Sequence, residues 1–219
     1  AQVMRKQKKR ITASLERRRQ RREPYDLVLI VCEGAKTEPL YFSQLRDALR
    51  LSRVNVSICG KECGSSPLSV VDYALAEFER DGDYDRIFCV FDKDRHAQYQ
   101  DALIKAQSQQ LPGAATIEAI TSVPCFEFWL LLHFKDTARP YSASGRKSVC
   151  DNVIRDLKAH IPRYKKGNAD VFEATYPLVD EAIKRAKRLE KRQVEAGTDN
   201  PSTKVHRLVA YLQGLKAEG

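Results

Sequence analysis

Short, continuously apolar runs along this chain alternate with stretches in which apolar residues recur every three or four positions. The first run, Leu27 to Val31, is apolar throughout, as a strand covered on both faces must be. It stops at Cys32-Glu33-Gly34-Ala35-Lys36-Thr37-Glu38-Pro39, after which Leu40, Phe42, Leu45 and Leu49 follow helical spacing. Val54 to Cys59 alternates, predicting a second strand with Val54, Val56 and Ile58 on one face. Gly60 to Pro67 reads as a loop, and Pro67 opens a helix through Val70, Val71, Ala74, Leu75 and Phe78 that Asp81-Gly82-Asp83 closes. Ile87 to Phe91 forms a third strand, a helix runs from Ala97 to Gln110, and Thr116 to Ser122 supplies a fourth strand. Strands alternating with helices of about 10 to 15 residues predict a mostly parallel, doubly wound α/β sheet over residues 24–135.

The pattern then changes. Val123 to Phe134 is apolar all round and reads as a buried helix, in which Glu127 needs a cation, a metal or a proton. His133 shares a face with Phe126, Trp129 and Leu130 and reads as a packed core histidine. Residues 136–219 show helical period and no clear strand, so a C-terminal helical part packed on the core is expected. Val149, Val153, Ile154 and Leu157 mark one helix there, and Leu178, Ala182, Ile183, Ala186 and Leu189 a long second one. Asn200 is placed as a cap, with Pro201 in the first turn of a final helix lined by Val205, Leu208, Val209 and Leu212.

Charge adds a location. The formal net charge is +9, and residues 1–22 hold ten Lys or Arg against one Glu, so the remainder is neutral. That basic tail (1–23) suits either a nucleic-acid arm or a solubilising helix, Ile11 and Leu15 lying four apart. Two further basic sets are candidates for phosphate contact: Arg163, Lys165 and Lys166 around Tyr164, and the face of the long helix bearing Lys184 and Arg188. No run of apolar residues is long enough to span a bilayer and no signal-peptide core is visible, so a soluble, cytoplasmic protein without membrane contact is expected. The six cysteines (32, 59, 63, 89, 125, 150) contain no CxxC pair, and reduced structural thiols are the expected state.

The chemistry concentrates where strands end. Asp92 and Asp94 are spaced i, i+2 and project to one face just past the third strand, and Glu33 follows the first strand. Adjacent strand ends in a doubly wound sheet bring these carboxylates to one rim, where ligands bind. An all-oxygen cluster of this kind suits Mg²⁺ or Mn²⁺ sharing its shell with a phosphate. Gly34 lets backbone approach such a ligand at a helix N-terminus, and Lys36 adds a point charge.

A Glu-Gly after a first strand with Asp-x-Asp after a later one resembles the toprim domain of primases, type II topoisomerases and overcoming-lysogenisation-defect nucleases. More closely, Cys32-Glu33-Gly34-x-Lys36-Thr37-Glu38, Phe91-Asp92-Lys93-Asp94-x-His96, Pro124-Cys125-Phe126-Glu127-Phe128-Trp129 and Asn200-Pro201-Ser202-Thr203 resemble the RloB-like family. The family pattern has Ser-Asn-Pro where this chain has Ser122-Val123-Pro124, a departure that touches a turn and no carboxylate. The resemblance implies a toprim-like fold and a metal-dependent nuclease of phage defence, of a kind often encoded beside an ATPase partner or within restriction-modification loci. It assigns Glu33 as metal ligand or general base and Asp92 and Asp94 as metal ligands. Glu127 is the candidate fourth carboxylate, and Lys36, Glu38, Lys93 and His96 fall on motif positions. The rival reading is a toprim protein that binds nucleic acid or nucleotide without catalysis of its own. DNA and RNA remain equal as substrates, and the oligomeric state is open.

Overall fold

The computed structural model describes residues 26–53, 56–93 and 97–218. The basic tail, Val54, Asp94 and His96 lie outside the described residues.

Five strands form one sheet in the order β2-β1-β3-β4-β5, with β1 Val28–Cys32, β2 Val56–Cys59, β3 Arg86–Asp92, β4 Thr116–Val123 and β5 Ser202–Thr203. The first four are parallel, and β5 runs antiparallel to β4. Three helices connect the parallel strands: α1 Thr37–Ala48, α2 Pro67–Asp81 and α3 Tyr99–Ser108. All five residues of β1 are buried, as expected of a strand covered on both faces. Alternation divides them: Leu29 and Val31 join Ile87, Cys89 and Phe91 in a core under α2 and α3. Val28 and Ile30 join Phe88, Val90 and Ile120 in a larger core on the opposite face. Chain order reverses at β1, because α1 leads to β2 on one side and the chain then returns past β1 to β3 on the other.

The helix boundaries have local causes. Ser66 caps α2 through Ser69 N–H, Pro67 occupies the first turn, and Gly82 ends the helix in the left-handed region with its N–H on Phe78 C=O.

The C-terminal part comprises α4 Glu127–Leu132, α5 Val149–Lys158, α6 Asp170–Thr175, α7 Val179–Ala196 and α8 Val205–Glu218. Its apolar faces complete the larger core, in which Trp129 is fully buried among residues of every helix from α4 to α8. Arg185 of α7 donates to the carbonyls of Leu132 and His133 at 2.9 Å each, satisfying the end of α4. His133 is packed as expected: it is buried, edge-on to Trp129, with Nδ1 on the carbonyls of Trp129 and Leu130, and burial pushes its pKa down to about 4. Among the described residues no helix is long and apolar enough to cross a membrane.

Three expectations change. The apolar run from Val123 splits, because β4 extends through Val123 and the helix begins only at Glu127. Asn200 caps no helix. Its side chain instead exchanges hydrogen bonds with the backbone N–H and C=O of Tyr141, and Ser202–Thr203 become the fifth strand, Thr203 Oγ1 lying 3.1 Å from Ser122 Oγ. Finally, Cys125 and Cys150 are joined by a disulfide, while Cys32, Cys59, Cys63 and Cys89 remain thiols.

Candidate active site

β1 delivers the first carboxylate. Its pairing with β3 continues one residue beyond the strand, Glu33 N–H donating to Val90 C=O at 2.8 Å. Glu33 therefore sits level with the end of β3, and its Oε2 accepts the N–H of Asp92 at 3.1 Å. The chain then turns at Gly34, whose φ of +84° is costly for any residue with a side chain. That turn carries Lys36 and enters α1 at Thr37, with Glu38 in its first turn.

β3 delivers the second carboxylate, Asp92, toward which Phe126 N–H points. Burial pushes the Asp92 carboxyl well above the usual range, and the charges of Glu38, Glu127 and Glu33 add to the shift. Burial likewise raises Glu38 to about 7; Glu127 and Glu33 push the same way, against its own backbone N–H and Lys166.

The C-terminal part closes the arrangement. Glu127 is 1% exposed. Its Oε1 accepts the Tyr164 hydroxyl at 2.9 Å and lies 3.3 Å from Lys166 Nζ, while Oε2 is buried without a partner among the described residues. Burial works against the Lys166 charge, yet Glu127, Asp92 and Glu38 together raise its pKa. The loop bearing Tyr164 and Lys166 is fixed to the start of α1, Gly167 N–H donating to Thr37 Oγ1 at 3.1 Å.

These elements enclose a cleft of about 500 Å³ lined by Glu33, Lys36, Glu38, Asp92 and Lys166, with Ser148 and Asp151 of the α5 capping box opposite. It opens at the carboxyl ends of β1 and β3, the point where strand order reverses and where such sheets bind ligands. Oxygen donors are the type a hard divalent cation takes, and such an ion would relieve the mutual repulsion that adds to the effect of burial on Asp92 and Glu38.

Of the residues expected to serve the site, Glu33, Lys36, Asp92 and Lys166 line one cleft, and Glu127 adjoins it through Lys166. Asp94 lies outside the described residues. Lys93 points elsewhere, pairing with Asp199 at 2.5 Å. Arg163 and Lys165 line a separate hollow of about 370 Å³ with Lys158 and Asn168. Lys184 pairs with Glu181 and Arg188 with Asp136, so the basic face of α7 does not meet the cleft lining. The pattern of the chain reads Lys166 only as part of a basic loop. Its pairing with Glu127 joins positions 39 residues apart, and Gly167 immediately after an aromatic and basic run is the one local sign of a built turn.

Fold and cleft together define an α/β protein with an acidic, lysine-flanked site at the switch point of a parallel sheet. The model of the family described as RloB-like protein matches residues 28–212, and the chain belongs to that family. No curated protein and no solved structure matches it.

Proposed function

We propose that this protein is a divalent-metal-dependent nuclease that hydrolyses phosphodiesters of DNA or RNA. The observation carrying this reading is that Glu33, Glu38 and Asp92 line one cleft together with Lys36 and Lys166, with Glu127 adjoining it through Lys166. Glu33 and Asp92 are the residues to hold a Mg²⁺ or Mn²⁺ ion, and Asp94 is proposed as a further ligand from the sequence alone. When bound, such an ion lowers the pKa of a water and neutralises charge building on phosphate. The chain's own groups divide the remaining work. Lys36 and Lys166 offer ammonium charges to phosphate oxygens, and the start of α1 offers backbone N–H groups. Glu38, raised to about 7, is poised to accept a proton at its carboxylate near neutral pH. The biological setting proposed with it is phage defence beside an ATPase partner, on the resemblance alone.

The test is cleavage of plasmid DNA, single-stranded DNA and total RNA with Mg²⁺, Mn²⁺ or EDTA, comparing wild type with Glu33→Gln and Asp92→Asn. Metal-dependent cutting that each substitution lowers by about a hundredfold or more is expected. Binding without cutting, unaltered by either substitution or by the partner ATPase, would instead favour a non-catalytic protein.

A further inference from the structure

Cys125 at the turn into α4 and Cys150 in the first turn of α5 meet beside Glu127. Ligand atoms of these three residues lie within 4.8 Å of one another, and all three are buried. The two sulfurs form a disulfide. Glu127 Oε2 meanwhile has no hydrogen-bond partner among the described residues, although Oε1 receives both Tyr164 and Lys166. A buried carboxylate oxygen without a donor is costly, and nothing in the wall of α4 or α5 repays it. Two sulfurs and one carboxylate oxygen at this spacing make a donor set unlike the oxygen cluster at the strand ends. Thiolates favour softer ions and disfavour Mg²⁺. Cys150 also lines the cleft, which leaves solvent access for a fourth ligand.

We propose that Cys125, Cys150 and Glu127 form a site for a thiophilic divalent cation, zinc above all, when their disulfide is reduced. Reduction by a dithiol transfers two electrons and two protons to the S–S bond, giving two thiols and the cyclic disulfide of the reductant. The cation then displaces both thiol protons to solvent and takes the two sulfurs and Glu127 Oε2. The ion and the disulfide thus join the same two helix starts, so this wall of the cleft is cross-linked in either redox state. Cys63 is a poor competitor, because its thiol already lies on the carbonyls of Cys32 and Gly60 at 2.8 and 2.9 Å.

The experiment reduces the full chain with dithiothreitol, removes the reductant without air, and titrates Co²⁺ and then Zn²⁺ in excess Mg²⁺. Expected are a thiolate-to-cobalt charge-transfer band, its loss as zinc displaces cobalt, and stoichiometric zinc by native mass spectrometry. Cys125→Ser and Cys150→Ser each remove the band, Glu127→Gln weakens zinc binding by roughly tenfold or more, and the oxidised chain binds none. Alkylation mapping on wild type needs no variant: zinc should shield Cys125 and Cys150 while Cys59 stays reactive. No band in the reduced chain, a band that survives both serine substitutions, or zinc that shields neither cysteine would overturn the proposal.

Discussion

Glu127 shows what the molecule spends to build its cleft. A carboxylate almost wholly removed from water is held by one hydroxyl and one ammonium, both from a loop 37 to 39 residues away. Tyr164→Phe removes the hydroxyl and leaves the carboxylate less satisfied, so urea unfolding should show a loss of about 1–3 kcal/mol. A loss within error would mean that Tyr164 serves packing alone. Glu38 carries the opposite kind of cost. Its folded pKa of about 7 lies above the ordinary 4.5, so the native state binds this proton more tightly than the unfolded chain does. Stability from this group is complete below pH 4.5 and drains away as pH rises through 7. Glu38→Gln should therefore raise the melting temperature at pH 8 and leave it nearly unchanged at pH 4. Equal shifts at the two pH values would refute the linkage.

At the scale of elements, the loop between α5 and α6 sets the site's dimensions. Gly167 has φ of +79°, and a Cβ there would stand 3.0 Å from Lys36 Cβ. Gly167→Ala should cost about 1–3 kcal/mol and push the loop from the start of α1, read as a lower urea midpoint together with weaker substrate binding. An unchanged midpoint would show that the loop rests on its other contacts. The first four strands and their helices were legible because each carries enough residues to display a period, and because Pro67 and Gly82 mark the ends of α2. Glu33 was legible because it directly follows β1, and Asp92 because it closes the apolar run of β3. The fifth strand was not: Ser202–Thr203 is too short to have a period, and the Asn200-Pro201 before it imitates a helix start. Lys166 was legible as a basic residue for phosphate contact, but its pairing with Glu127 was not, since that partner is supplied by tertiary approach and no local pattern records it. The disulfide escaped similarly, its cysteines standing 25 positions apart, one at the turn into α4 and the other in the first turn of α5.

For the molecule as a whole, the C-terminal part is a component of the larger core. Val205, Leu208, Val209 and Leu212 are fully buried with residues of β1, β3 and α1, and β5 completes the sheet. A chain ending at Gly197 should therefore fail to fold, seen as loss of a cooperative melting transition by circular dichroism. A cooperative melt would mean that the chain folds without its last strand and helix. Divalent ions test the site at the same scale. Burial raises the carboxyls of Asp92 and Glu38, so the divalent ion proposed above would compete there with protons, and Mg²⁺ should raise the melting temperature more at pH 8 than at pH 5. The sheet also has unequal neighbours, α2 and α3 covering one face with the lesser apolar cluster while the other helices share the greater. Its two sides need not open together. Amides of α2 and α3 should exchange with deuterium through partial openings that leave the opposite layer closed, so that protection is graded through the thickness of the protein and the cleft rests on its slower-exchanging side.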